Sequence, residues 1–377
     1  MIEVAALDSI AGVEPSQWNR LVFGNGSSGE LEDWSYYHAV ERAGLPDFGY
    51  VYFAIRDGAR LLAAAPAFLT DYRLDTTVQG ALKRVTETAA KVFPRLLRIP
   101  MLALGSPATE RCSVGFDPDA TLSQRAQWLG MILDKMEAIA ARDKLGMLAI
   151  KDAAADNDGL WRRACPRRGL RPLPGLPGAA LVLPYRDLDG YLASLGAATR
   201  KDLRRKLRAA SGLTIAWRTD LEGIRDEVQR LYRATLEHSE FRFEELTPAY
   251  FDNVLRDMPG RAYCVTYSEN DSLLAFNLVL CDHERLLDKF LGMDYTAMDR
   301  YNLYHASWLE NVRHCIAHDI SVYESGQGLH SEKLRLGGTL SANTLWYRHR
   351  NRFLDGVFAR IDRLARVDRF DDKAQYA

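Results

Sequence analysis

Several features that mark common protein classes are missing from this chain. The opening residues MIEVAALDSIAGVEPSQW lack the basic start and the apolar run of a signal peptide, so we expect a cytoplasmic protein. No apolar run reaches the ~18 residues that a membrane-spanning helix needs, which predicts no membrane span.

Cysteine is scarce and scattered. The chain has 5 cysteines, an odd number, and no C-x-x-C pair. This spacing predicts reduced thiols without a zinc site, so we expect no metal cofactor.

An excess of charge of either sign is also missing. Lys and Arg number 49 against 50 Asp and Glu, which gives a formal net charge of −1. The balance offers no global electrostatic argument for binding nucleic acid or an anionic membrane. We therefore expect no DNA partner.

The pattern of apolar residues predicts the architecture. A chain of 377 residues is long for one hydrophobic core and indicates two domains of similar size. From residue 213 onward the order is strand, helix, helix, three strands, helix, strand, helix and strand. The first half follows the same order as far as it goes, with one insertion at 77–99. We predict an α/β protein with mixed sheets and domains at 1–178 and 179–377.

Three segments of the second half carry particular expectations. Residues 193–212 predict one continuous basic helix that ends at Gly212. Thr247 and Pro248 predict the start of another helix, as its cap and first residue. The run NTLWYRHR, residues 343–350, predicts the last strand of the second domain.

Three motifs of the second half follow one another in a familiar order. They are the basic helix SLGAATRKDLRRKLRAA, the strand, loop and helix LDKFLGMDYTAMDRYNLYHASWLENV, and the stretch YESGQGLHSEKLRLGG. Together with the element order, they resemble the GNAT acyltransferase superfamily in its Fem-like and CelD/BioF-like branch. The resemblance covers roughly 180–350 in residues and reaches the first half through element order alone.

The resemblance implies tandem GNAT-like domains, with the working site in the C-terminal one. It implies an N-acyltransferase that moves an acyl group from a thioester to an amine of a small molecule or peptide. The donor is acyl-CoA or an acyl carrier protein. The loop MDYTAMDRYNLY has no glycine where simpler GNAT proteins wrap a pyrophosphate, so the choice of donor stays open.

Two other functions fit the same pattern. A Fem-type transferase takes its aminoacyl group from tRNA, and the basic helix would serve it. A tandem GNAT module without catalysis would bind a ligand or dock a carrier. The near-neutral charge argues against a large RNA footprint.

Acyl transfer to an amine needs a base, and three side chains are candidates. Glu324 ends the fifth strand and Asp288 lies within the fourth, so both acids are expected at the cleft where these strands separate. His330, beside them, has an ordinary pKa near neutral. Each has a structural alternative: Glu324 as a cap of the helix near Ser331, Asp288 in a salt bridge, and His330 as a solvated residue.

The donor is expected at the N-terminus of the long helix, where free N–H groups and the helix dipole favour phosphate. The candidate donor-binding residues are Arg300, Asn302, Leu303, Tyr304, Lys333 and Arg335. The alternative is a polar surface loop, with Lys333 and Arg335 on a solvated helix face.

The acceptor is expected beneath the connection between the first two helices of the second domain. Its candidate residues are His238, Glu240 and Arg242, and the alternative is a plain charged loop. In the basic helix, Arg200, Arg204 and Arg208 fall on one face at i, i+4 spacing. Such a face binds RNA phosphates or an acidic carrier protein, or it is simply solvated.

Overall fold

The computed structural model describes residues 2–23, 31–73, 98–239, 243–356 and 360. Glu240, Arg242 and most of the insertion at 77–99 lie outside these residues. The described chain divides into two compact units, each with its own mixed sheet. The predicted α/β class with mixed sheets is confirmed.

The strands are numbered along the chain. They are β1 (Ile2–Leu7), β2 (Phe48–Asp57), β3 (Arg60–Arg73), β4 (Arg98–Leu104), β5 (Gly115–Phe116), β6 (Met147–Ala154), β7 (Arg171–Pro174), β8 (Gly178–Val182), β9 (Thr214–Arg218), β10 (Ala262–Glu269), β11 (Ser272–Cys281), β12 (Arg285–Met293), β13 (Val322–Gly326), β14 (Thr339–Ser341) and β15 (Asn343–His349).

The α-helices are numbered in the same way. They are α1 (Pro15–Phe23), α2 (Trp34–Ala43), α3 (Leu122–Arg142), α4 (Asp158–Ala164), α5 (Leu188–Ser194), α6 (Ala197–Ala209), α7 (Arg225–His238), α8 (Pro248–Asp257), α9 (Met298–Tyr301), α10 (Leu303–Ala317) and α11 (His330–Arg335). No described helix combines the length and apolar character needed to cross a membrane.

The first unit consists of Met1–Ser9, Asp47–Gly175 and Asn343–Ala377. Its sheet has the order β1-β2-β3-β4-β6-β15-β7, with β5 paired to β3. Only β4 and β6 run parallel among these pairs. Helix α3 starts with a capping box, in which Thr121 and Gln124 satisfy each other's backbone N–H groups, and it packs its apolar face on the sheet.

The second unit consists of Ile10–Pro46 and Leu176–Ala342. Its sheet has the order β14-β8-β13-β12-β11-β10-β9, and only β12 and β13 run parallel among these pairs. Helix α10 covers one face of the sheet, and α7 packs on β11 and β12. The predicted start of α8 is confirmed, since the Thr247 side chain accepts from the Tyr250 N–H and Pro248 is the first helical residue.

The two units are not the contiguous halves that the sequence predicts. The predicted last strand of the second domain, β15, pairs with β6 and β7 in the first sheet. β8, at the predicted start of the second domain, pairs with β13 and β14 in the second sheet. The apolar pattern predicts that a segment is a strand but does not name its neighbours, so this exchange is invisible in the sequence.

The N-terminal helices make a second exchange. Helix α2 packs on α8, and the hydroxyls of Tyr36 and Tyr250 lie 2.9 Å apart. The Thr247 hydroxyl also donates to the Ala43 carbonyl at 2.9 Å. Residues 10–46 therefore belong to the second unit rather than to a first domain at 1–178.

The predicted basic helix is two helices rather than one. The backbone is extended at Leu195 and Gly196, which separates α5 from α6. Leu203 is the one fully buried apolar residue of α6, so the other side chains of the helix are at least partly exposed. The five cysteines are buried and form no disulfide.

The exchange of β15 predicts where a core mutation in it will act. Trp346 is 2% exposed and lies in the core of the first unit. Trp346→Ala should cost about 3–5 kcal/mol and raise amide hydrogen exchange in β4 and β6. Leu340→Ala, in the exposed β14, is the control and should leave exchange in the first unit unchanged. Loss of protection in β10 to β13 instead would contradict the assignment of β15 to the first sheet.

Candidate active site

The parallel pair β12 and β13 separates partway along its length. Arg285 pairs with Val322, Leu286 with Tyr323 and Leu287 with Glu324, and this last pair ends the ladder. β12 continues to Met293 beside β11, while β13 continues to Gly326 beside β8. The two strands thus form a cleft, and Asp288 is the first residue of β12 beyond their last pair.

Asp288 is held by neutral hydrogen-bond donors. Asn277 donates its amide N–H groups to both carboxyl oxygens at 3.0 and 3.1 Å. Asn311 on α10 donates at 3.2 Å and the Tyr323 hydroxyl at 3.0 Å to the same oxygen, Oδ2. These contacts fix the carboxyl against the face of the sheet that α10 covers.

Burial dominates the ionisation of this carboxyl. It raises the pKa of Asp288 above its ordinary value, although the hydrogen bonds from Asn277, Tyr323 and Asn311 and the charge of Lys333 act in the opposite direction. The residue nevertheless keeps some accessible surface, as it is half-buried rather than fully enclosed. A raised pKa makes the ionised carboxylate a stronger proton acceptor.

Two buried amide oxygens beside Asp288 have no partner among the described residues. They are Oδ1 of Asn277 and Oδ1 of Asn311, whose side chains are both fully buried. An unpaired buried acceptor is costly in an ordinary core. The pair is therefore a feature of this cluster that packing alone does not explain.

Glu324 lies on the other face of the sheet. It is paired with Leu287 in the register, and its neighbour Tyr323 points towards Asp288. Successive side chains of a strand alternate between faces, so the two acids do not share a face as the sequence analysis expected. The Glu324 carboxylate instead forms an ion pair with Arg285 at 3.3 Å. The described contacts give it no role in capping α11.

Lys289 also turns away from Asp288. Its ammonium forms a buried ion pair with Glu32 and lies 4.9 Å from the centre of the Tyr36 ring. A bulge opposite Leu278 and Val279 places Lys289 on the face that carries α2. The salt bridge between Asp288 and Lys289, an alternative raised by the sequence, is absent from the described contacts.

Lys333 is a cation that contacts one wall of the cleft. It lies on α11 and is 5% exposed, and its ammonium donates to the Ser325 carbonyl and, at 2.9 Å, to the Gly326 carbonyl. These carbonyls belong to the end of β13 that has left β12. Lys333 is thus a buried residue, and the alternative of a solvated helix face is wrong for it.

The expected donor residues lie at the start of α10. Asn302 adopts a left-handed conformation between α9 and α10, and its carbonyl accepts from the N–H groups of His305 and Ala306. Leu303 is buried, and the hydroxyl of Tyr304 has no hydrogen-bond partner among the described residues. Arg300 forms an exposed ion pair with Glu269 at 2.6 Å.

An ionic network ties this helix start to α6 and α11. The His305 imidazole lies 2.8 Å from the Lys206 ammonium and 2.6 Å from a Glu332 oxygen. Arg335 contacts both Glu332 and Asp202. Burial lowers the pKa of His305, and hydrogen bonding by Arg335 lowers the pKa of Glu332 to about 2.

The sequence analysis missed His305, Lys206 and Glu332 as a group. They are far apart along the chain, and no local spacing joins them. The one available signal was the position of His305 in the first turn of the helix expected to face the donor.

The remaining candidates are only partly placed. The His330 ring donates to the Pro177 carbonyl at 2.9 Å and is half-buried. The His238 ring donates to the Ala234 carbonyl at 2.8 Å and stacks on Tyr295 with ring centres 3.7 Å apart. Glu240 and Arg242 lie outside the described residues. No described contact joins His330 or His238 to Asp288.

A broad cavity of about 900 Å³ lies elsewhere in the second unit. It is bounded by the loop after β9 and by α7 and α8, and its wall includes the exposed ion pair between Arg225 and Asp252 at 2.8 Å. Asp288 and Lys333 do not line it, so we place the candidate site at the strand cleft. The described residues include no group of three or more His, Cys, Asp or Glu side chains that could hold a metal ion.

Comparison with known proteins agrees with this geometry. Residues 197–334 match the family described as acetyltransferase (GNAT) domain, a match that spans β9 to β13 and α6 to α11. A search of curated proteins with this sequence found no match.

Three solved structures share the fold over nearly the whole chain. The alignment with FemX has a TM-score of 0.59 at 13% identity and covers 92% of this chain and 98% of the FemX chain. A tandem GNAT protein from the clavulanic acid biosynthesis pathway has a TM-score of 0.52 at 14% identity, covering 93% and 98%. The C-terminal domain of a putative lysylphosphatidylglycerol synthetase from Agrobacterium fabrum has a TM-score of 0.51 at 14% identity, covering 93% and 97%. The expected tandem GNAT, Fem-like fold is confirmed.

The buried Asp288 predicts an unusual dependence of stability on pH. Its folded-state pKa lies above the ordinary value of 3.8, so ionisation costs stability as pH rises above 3.8 and through the folded-state pKa. Asp288→Asn lacks this titration. The melting temperature of the variant, relative to the native protein, should therefore rise as pH increases above about 4.

Asp294 provides the matched control. Hydrogen bonding by Thr296 lowers the pKa of Asp294, so this carboxylate stabilises the fold above pH 3.8 and loses that effect as pH falls. Asp294→Asn should therefore show no trend above about pH 4, and its melting temperature relative to the native protein should fall with rising pH only below 3.8. If both variants follow the same trend, the burial of Asp288 does not govern its ionisation.

Proposed function

Because the chain has the tandem GNAT fold and residues 197–334 match a GNAT domain, we propose that it is an N-acyltransferase. It transfers an acyl group from a thioester to an amine of a small molecule or peptide. The observation that carries the proposal is the separation of β12 from β13 directly before Asp288. A cleft between parallel strands admits an extended thioester arm, and the carboxyl stands where that cleft closes.

Asp288 is the proposed base. An ammonium group must lose one proton before its nitrogen attacks the thioester carbonyl. Asp288 accepts that proton directly or through a water, since burial raises its pKa towards the range in which a carboxylate becomes a useful base. The second proton of the nitrogen leaves with the departing thiolate sulfur, so the transfer balances without another reactant.

The orphaned oxygens of Asn277 and Asn311 support an incoming cation at this place. Both oxygens are hydrogen-bond acceptors, and their amide nitrogens are already committed to Asp288. An ammonium donates up to three hydrogen bonds. It also brings a positive charge, which the neutral hydrogen-bond donors around Asp288 do not supply. The cluster is therefore complementary to a protonated amine.

Lys333 is the proposed electrostatic partner of the reacting carbonyl. Its buried ammonium supplies positive charge to the cleft, and its field acts on Asp288. A fixed cation in a dry site stabilises negative charge that develops on oxygen during acyl transfer. Lys333 therefore acts on the transition state rather than as a general donor-binding cation.

The start of α10 is the proposed position of the donor's phosphate. Leu303 and Tyr304 offer backbone N–H groups at the positive end of the helix, whereas the Asn302 N–H donates to the Met298 carbonyl. Arg300 would add positive charge by leaving its ion pair with Glu269 and contacting the phosphate. Arg335 is connected to the same helix start because it pairs with Glu332, which contacts His305. The connection that carries His238, Glu240 and Arg242 is the proposed roof of the acceptor site.

Two substitutions separate the candidate bases. Asp288→Asn should lower kcat by about 10²–10⁴-fold, because a general base contributes about that much. Glu324→Gln should change kcat by only a few-fold, since this carboxylate lies on the other face and is paired with Arg285. Turnover is followed as thiol release from acyl-CoA thioesters of different chain length with a panel of amines, and melting temperature confirms folding.

The opposite result is equally informative. The sequence analysis placed Glu324 first, and a large loss of kcat in Glu324→Gln with a nearly unchanged Asp288→Asn would restore it as the base. Retained activity in both variants would leave His330 as the candidate base.

A further inference from the structure

A stripe of four cationic side chains runs along the outer face of α6. Lys201, Arg204, Arg205 and Arg208 are exposed and follow i, i+3, i+4 and i+7 spacing, which places them on one side of a helix. The face expected from the sequence included Arg200, but its guanidinium donates to the Ala193 and Leu195 carbonyls, both at 3.2 Å. We call the four exposed residues the basic stripe.

The charge of the basic stripe is mostly uncompensated. Among the described residues, no carboxylate lies within ion-pair distance of Lys201 or Arg208. Arg204 has only an exposed contact with Asp189 at 3.8 Å, while Arg205 pairs with Asp202 at 2.9 Å. Since the whole chain carries a net charge of −1, this is a local concentration of positive charge.

The inner side of the same helix is fixed to the candidate donor site. Leu203 is fully buried, and the Lys206 ammonium lies 2.8 Å from the His305 ring in the first turn of α10. Asp202 also contacts Arg335 on α11 at 3.3 Å. The basic stripe is thus held rigidly beside the proposed position of the donor's phosphate.

We propose that the basic stripe docks an acidic carrier protein that presents the acyl group as a thioester on its phosphopantetheine arm. This inference rests on the proposed function and specifies its donor. The stripe extends over eight helical residues, about 10 Å, which suits the spacing of carboxylates along one or two turns of an acidic helix. Complementary charge of this kind guides association and fixes orientation.

The start of α10 also fits a carrier arm. Residues 293–304 contain no glycine, so the backbone there has little freedom to wrap a pyrophosphate. Arg300 is engaged by Glu269. A carrier arm has a single phosphate diester, whereas coenzyme A has a pyrophosphate and a further phosphate, so the carrier makes the smaller demand on this site.

Nucleic acid fits the basic stripe less well. Helix α6 has the sequence AATRKDLRRKLRA and offers no aromatic side chain for stacking on a base. Four cations in one short row reach few phosphates, and most of the affinity for RNA comes from many such contacts.

The test uses the triple variant Lys201→Glu, Arg204→Glu and Arg208→Glu, which leaves Arg205 and its pair with Asp202 intact. The control is Arg162→Glu, Arg163→Glu and Arg167→Glu on the exposed surface of the first unit, with the same change in charge. The donors are one acyl group carried either by an acidic acyl carrier protein or by coenzyme A.

The stripe variant should lose at least about tenfold in kcat/KM with the acyl carrier protein and change less than about twofold with the coenzyme A thioester. The control should match the native protein with both donors. Raising the salt concentration should reduce turnover of the carrier substrate by the native protein. Equal loss with both donors, or no loss with the carrier, would overturn the inference.

Binding measurements keep docking separate from catalysis. Holo carrier protein without an acyl group, labelled and titrated by fluorescence anisotropy, should bind the native protein and the control but not the stripe variant. This binding result supports docking of the carrier even if no acyl transfer is detected. Binding without transfer would contradict the proposed acyltransferase function but not the docking of the carrier. Absence of carrier binding by the native protein, or stripe-dependent binding of tRNA instead, would overturn docking by a carrier protein.

Discussion

The parting of β12 from β13 after Leu287 and Glu324 is the constraint on which the rest of the candidate site depends. Strands that leave a parallel ladder expose backbone groups that must find other partners. In β13, the carbonyls of Ser325 and Gly326 accept hydrogen bonds from the Lys333 ammonium. The cleft thereby acquires a buried cation as a consequence of its own geometry.

The same register divides the polar groups between the two faces of the sheet. Asp288 and Tyr323 meet Asn311 beneath α10, whereas Glu324 pairs with Arg285 on the opposite side. The bulge in β12 then directs Lys289 to Glu32. A single strand therefore presents a carboxyl held by neutral donors on one face and a compensated ion pair on the other. We propose the first of these as the group that exchanges a proton with a ligand.

Local sequence signals predicted most elements and one of the main site residues. The Thr247-Pro248 start of α8 follows from capping preferences, and Asp288 was found because an acid within an apolar strand is unusual. What failed depended on long-range pairing. The location of β15 in the first sheet, and the opposite orientations of Asp288 and Glu324, follow from registers that no single segment encodes. The contact of Lys206 with His305 joins residues 99 positions apart and left no local pattern.

The central claim is that the cleft of the second unit binds the acyl donor. Its most direct test is amide hydrogen exchange of the protein with and without a non-reactive acyl thioester analogue. The account predicts slower exchange in β12 beyond Leu287, in β13 and in the first turn of α10, with no change where β4 and β6 adjoin in the first unit. Protection confined to β4 and β6, or protection around the 900 Å³ cavity at α7 and α8, would contradict the assignment of the active site.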